Sequence, residues 1–151
     1  MQGGTMADQV EVAAADEELK DSGKKPDGTP YKVLITDDSA FILKQLARVL
    51  TSAGYEIIGE AENGRKAVEF HKARGAEIDA TTMDITMPEM NGIEAVEGIL
   101  AINPTAKIIM VSALGHESLV KQAILRGAKH FIVKPFQREQ VLKILKGVLA
   151  K

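Results

Sequence analysis

The chain has 151 residues, 45% of them hydrophobic and 26% charged, and no cysteine. That balance suits one globular domain with its own core, and it excludes disulfide staples and thiolate chemistry. Net charge is −2, divided as −4 over residues 1–29 and +2 over the remainder, too little in either part for sequence-independent nucleic-acid binding. No apolar run reaches the roughly 20 residues that span a bilayer. The acidic N-terminus lacks the apolar centre of a signal peptide, and a cysteine-free chain is compatible with the cytoplasm.

Residues 1–29 carry seven acids (Asp8, Glu11, Asp16, Glu17, Glu18, Asp21 and Asp27) and three lysines. With few apolar side chains to anchor a core, they read as a flexible acidic extension. Residues 10–15 suit a transient helical turn, and residues 23–30 a linker. Deleting residues 1–29 is expected to shift stability by no more than about 1 kcal/mol, the scale of surface changes. The domain proper is then residues 30–151.

From Tyr31 onward, short apolar runs alternate with helical periods. Residues 32–36 suit a strand. Ile42, Leu43, Leu46, Val49 and Leu50 follow at helical spacing, and Gly54 ends that helix. A second strand is expected at residues 55–61 and a helix from Asn63-Gly64 to about Ala73. Residues 78–83 make a third, more polar strand. Ile93, Val96, Ile99 and Leu100 form the next helical stripe. Residues 107–111 are a strongly apolar strand. Leu119, Val120, Ala123 and Ile124 mark a helix closed by Gly127. Residues 130–133 are a fifth strand, and the last helix runs through Val141, Leu142, Ile144, Leu145, Val148 and Leu149. Five strand–helix pairs predict an α/β fold, a parallel sheet wound with helices on both faces.

In an open α/β sheet, ligands bind beyond the carboxyl ends of the strands. There the sequence places Asp37-Asp38 after the first strand, Asp84 after the third, Ser112 after the fourth and Lys134-Pro135 after the fifth. Three converging carboxylates repel one another and need compensation. A divalent cation with oxygen ligands, Mg²⁺ by preference, supplies it. Lys134 adds a point charge and Ser112 a hydroxyl donor, both suited to phosphoryl oxygens. A carboxylate flanked by metal, ammonium and hydroxyl is equipped to attack a phosphoryl group. Each piece has a plainer reading: a helix cap for Asp38 or Ser39, turn chemistry for Ser112, a loop exit for Lys-Pro. Their occurrence at one end of successive strands favours the chemical reading. His71, His116 and His130 fall outside this set and read as ordinary surface or strand-end residues.

Four stretches together resemble the receiver domain of two-component response regulators. They are Val33-Leu34-Ile35-Thr36-Asp37-Asp38-Ser39, Met83-Asp84-Ile85-Thr86-Met87-Pro88-Glu89-Met90-Asn91-Gly92, Ile108-Ile109-Met110-Val111-Ser112-Ala113 and Phe131-Ile132-Val133-Lys134-Pro135-Phe136. The resemblance covers about residues 32–150 and is nearest to single-domain chemotaxis members. It implies a flavodoxin-like (βα)5 fold with strand order 2-1-3-4-5. It also implies Asp84 as phospho-acceptor, and Mg²⁺ held by Asp37, Asp38, Asp84 and the Thr86 carbonyl. Lys134 and Ser112 would contact the phosphoryl oxygens, Phe131 would be the switch aromatic coupled to Ser112, and a cis bond would precede Pro135.

By the same resemblance, a sensor histidine kinase, a chemotaxis kinase by preference, would donate the phosphoryl group. Output would be a protein contact, with a flagellar switch protein favoured and a phosphatase possible. The chain would phosphorylate and dephosphorylate itself without being a turnover enzyme, would work in the cytoplasm, and would bind neither nucleic acid nor membrane. A phosphorelay or a pathway other than chemotaxis is the alternative output. The chain departs from many chemotaxis relatives in having Phe131 for Tyr and Ser112 for Thr. Three other readings are weaker. A haloacid-dehalogenase-like phosphatase lacks its second Asp, two residues after Asp84. A flavin binder would have its phosphate repelled by Asp37-Asp38. A binding-only pseudo-receiver would not need the full residue set.

Overall fold

The computed structural model describes residues 18–151. The helical turn expected at residues 10–15 lies outside the described residues. The strands are β1 (Lys32–Thr36), β2 (Glu56–Ala61), β3 (Ala80–Asp84), β4 (Ile108–Ala113) and β5 (His130–Lys134). The helices that follow them are α1 (Ala40–Ser52), α2 (Gly64–Arg74), α3 (Gly92–Ile102), α4 (Glu117–Leu125) and α5 (Arg138–Leu149). All pairings are parallel, in the order β2-β1-β3-β4-β5.

Period-two alternation sends successive side chains to opposite faces. Leu34, Met83, Ile108 and Met110 meet Val68 of α2, Val96 and Ile99 of α3, and Val120 of α4. Val33, Ile35, Ile109, Val111 and Ile132 meet Leu43, Leu46 and Leu50 of α1 and Leu142 and Leu145 of α5. Most of these side chains are fully buried, so two apolar layers clamp the sheet.

Helix boundaries follow local chemistry. Ser39 caps α1, Asn63 caps α2, and Asn91 with Glu94 forms a reciprocal capping box on α3. Gly54 and Gly127 leave α1 and α4 at φ +94° and +118°, where a side chain would be strained.

Three expectations need correction. The third strand begins at Ala80, not residue 78, because residues 75–77 form a 3₁₀ turn whose Gly75 carbonyl accepts the Ile78 N–H. Asp79 then ties the strand entrance to β1, its carboxylate accepting the Lys32 N–H at 2.7 Å.

Residues 18–29 are not a solvated extension. Leu19 is 2% exposed and belongs to the core layer of α1 and α5. Gly23 donates to the Ala53 carbonyl and accepts from Tyr31 N–H, and Lys24 bridges to Pro30. A Cβ on Gly23 would lie 2.3 Å from the Tyr55 nitrogen, so this segment is pressed against the end of α1.

His71 is not a surface residue. It is buried on α2, with Nε2 2.8 Å from the Thr81 hydroxyl. This pair explains one polar residue of the central strand. Burial pushes the His71 imidazole down from 6.5 to about 4. The unfolded chain therefore binds more protons between these values, and the contribution of His71 to stability falls as pH drops through this window. Compared with His71→Gln, the parent should lose about 2 kcal/mol more between about pH 7 and about pH 5. Chemical denaturation at the two pH values checks this; parallel losses in the two proteins would count against it.

Candidate functional site

The carboxyl ends of β1, β3, β4 and β5 open on one edge of the sheet. Register places Thr36 beside Met83, Asp84 beside Val111, Ser112 beside Val133 and Ala113 beside Lys134. Asp37 and Asp84 are buried, whereas Asp38 is exposed. Carboxylate oxygens of Asp37, Asp38 and Asp84 lie within 4.8 Å of one another.

Lys134 reaches into this cluster. Its Nζ donates to Asp37 Oδ2 at 2.8 Å and to Asp84 Oδ1 at 3.3 Å. Asp37 Oδ1 also accepts the Ser39 N–H, and Asp84 Oδ1 accepts the Ile85 N–H, both at 2.9 Å. No hydrogen bond to Asp84 Oδ2 is present among the described residues, so that oxygen keeps its lone pairs free.

Electrostatics show what the cluster lacks. Burial first, and the Asp37 charge second, push the Asp84 carboxyl up from 3.8 to about 6, against the pull of Lys134. Burial alone would lower the Lys134 ammonium, but its hydrogen bond to Asp37 and the neighbouring carboxylate charges outweigh that and hold it raised. One ammonium does not neutralise three carboxylates. An all-oxygen donor set with excess negative charge fits a hard divalent cation.

Ser112 is buried at the end of β4. Phe131 is 40% exposed on the neighbouring β5, its ring turned to the surface beside His130. A cleft of about 270 Å³ lies between them, lined also by Leu114 and by Val120 of α4. Thr86 sits exposed in the bend after β3, two residues beyond Asp84. The Lys134–Pro135 bond is cis.

Sequence reasoning missed Glu89. It adopts φ +67°, uncommon for a residue with a side chain. Its carboxylate accepts from Asn63 Nδ2 at 3.2 Å and pairs with Arg65 at 3.3 Å, tying the loop after Asp84 to the start of α2. Nothing in sequence spacing links positions that come together only through the fold.

This strand order, with three acids and a lysine at the carboxyl edge, defines a receiver domain. The "Response regulator receiver domain" family matches residues 33–146, and the chain belongs to that family. It is 51% identical over 128 residues to the chemotaxis protein CheY of Treponema pallidum, covering 85% of this chain and 89% of that protein. It is 54% identical over 117 residues to CheY of Thermotoga maritima, covering 78% and 96%. Among solved structures, it matches one titled as the CheX–CheY–BeF3–Mg²⁺ complex of Borrelia burgdorferi. There the TM-score is 0.83 and the identity 46%, covering 87% of this chain and 99% of that one. The chain is thus a CheY-like receiver, consistent with a place in chemotaxis. Among the described residues, no helix is long and apolar enough to cross a membrane.

Proposed function

We propose that this chain is a cytoplasmic, phosphorylation-switched chemotaxis regulator, with Asp84 as the phospho-acceptor. The observation that carries the reading is the buried Asp37–Lys134–Asp84 network beside Asp38, at the carboxyl edge of the sheet. Asp37, Asp38 and Asp84 would hold Mg²⁺, with the Thr86 carbonyl as a further oxygen ligand. When bound, the ion would neutralise the acidic cluster and the charge on a transferring phosphoryl group.

The chain's own groups supply the rest. An Asp84 carboxylate oxygen forms a bond to phosphorus as the bond to the donor imidazole of a histidine kinase breaks. The electron pair of that bond stays on the imidazole nitrogen. Lys134, already hydrogen-bonded to Asp84, stabilises the charge on the transferred group. Hydrolysis of the resulting acyl phosphate, by the chain itself or with a phosphatase, returns the carboxylate. The chain is thus a covalent carrier that returns to its starting state, not a conventional turnover enzyme.

The switch follows from the cleft between Ser112 and Phe131. A phosphoryl group adds charge and strong acceptor oxygens. The Ser112 hydroxyl is drawn toward it, since a hydroxyl bonds an anion more strongly than a neutral acceptor. The Phe131 ring then turns into the vacated space, and a phenyl ring pays no hydroxyl desolvation on burial. The outward and inward rings are two states whose populations phosphorylation shifts. The surface of α4, β5 and α5 changes with them, and a flagellar switch protein is the proposed reader.

Phosphotransfer from the chemotaxis kinase of the same organism, followed by binding to its flagellar switch protein, tests this reading. Phosphorylation should strengthen binding at least tenfold, about 1.4 kcal/mol. Phe131→Ala should still accept the phosphoryl group but lose most of that gain. An undiminished gain in Phe131→Ala would make the ring mere filler.

A further inference from the structure

A large groove lies away from the acidic edge. Its volume is about 800 Å³, and it runs between α5 and the entrances of β4 and β5. Lys107, Lys129, Lys143 and Lys151 line it together with His130, and among the described residues no acidic side chain does. Lys107 is committed to the main-chain oxygens of Leu149 and Lys151, at 3.4 and 2.8 Å. Lys129 and Lys143 are exposed and have no carboxylate partner among the described residues.

The chain enters the described structure at the rim of this groove. Leu19 is buried beneath α5, and Glu18 pairs with Lys146 at 3.0 Å. Glu18 and Leu19 line a second cleft of about 290 Å³ together with Lys143 and Gly147. Those two residues also line the large groove, so the two clefts adjoin. Residues 1–17 carry Asp8, Glu11, Asp16 and Glu17 and no lysine or arginine. Their charge of −4 complements the four lysines of the groove. Residues 8–17, which hold every one of these acids, span up to about 36 Å when extended, ample to follow the groove from Glu18.

We infer that residues 8–17 dock in cis along this basic groove, their carboxylates against Lys129 and Lys143 and their valines against its apolar floor at Ile144 and Val148. An acidic segment of a partner approaching α5 at this place would have to displace them. This inference is independent of phosphorylation at Asp84.

The full chain tests it. A nitroxide placed through Val12→Cys is unique, because the chain has no other cysteine. Amides of His130, Ile144 and Gly147 should broaden selectively at low salt. The broadening should vanish at about 1 M salt, where the screening length is about 3 Å. It should also vanish when Lys129→Glu and Lys143→Glu are combined, both exposed changes that leave the core untouched. Broadening spread evenly over the surface, or persisting in the charge-reversed chain, would overturn the proposal. So would broadening that appears only between a spin-labelled chain and a separate isotope-labelled one, which would make the occupant a second copy.

Discussion

Gly92→Ala is expected to cost about 3 kcal/mol or more and to disorganise the loop that follows Asp84. A Cβ at Gly92 would lie 2.1 Å from the Asp84 carbonyl oxygen and 2.8 Å from the Ile85 Cα. Both are backbone atoms, and neither can swing aside as a flexible side chain would. The Gly92 N–H also donates to the Ile85 carbonyl at 2.7 Å, fixing the start of α3 against the end of β3. Gly147 is the contrast, since a Cβ there meets nothing within 4 Å. Within α5, Gly147→Ala should stabilise by about 0.5–1 kcal/mol, the helix cost of glycine relative to alanine. Urea denaturation of both variants separates the cases. A Gly92→Ala protein as stable as the parent would mean that the β3–α3 junction yields more easily than its contacts imply.

Removing residues 1–29 is expected to lower stability by about 3 kcal/mol, with Leu19→Ala alone reproducing most of the loss. Leu19 is as buried as the central residues of the sheet, and its deletion would uncover the layer of α1 and α5. The Glu18–Lys146 pair is exposed and should add little. Thermal or urea unfolding of the two proteins provides the check. A truncated chain within about 1 kcal/mol of the parent would restore the reading of a tail that does not pack.

These two positions mark where sequence reading stops. The sheet was legible because its strands are short unbroken apolar runs, buried on both faces, as in Val33 to Ile35 and Ile108 to Val111. The acidic site was legible because strand ends are where such folds place their chemistry: Asp84 and Lys134 end β3 and β5, and Asp37-Asp38 directly follow β1. Leu19 is a single apolar residue among acids, with no period to betray it; only its contact with α5, far along the chain, gives it a place. His71 left a fainter trace. Thr81 and Thr82 make a central strand polar, and a buried hydroxyl calls for a polar partner. Which residue answers depends on how α2 crosses the sheet, and spacing does not encode that.

The central claim is phosphoryl transfer to Asp84, and the mass of the intact protein tests it most directly. Treated with acetyl phosphate and Mg²⁺, the chain should gain one phosphoryl group that maps to Asp84. Chelating the metal should suppress the gain, and Asp84→Asn should gain nothing. If Asp84→Asn is modified as fully as the parent, or if the parent stays unmodified with Mg²⁺ present, the assignment of Asp84 as phospho-acceptor is contradicted.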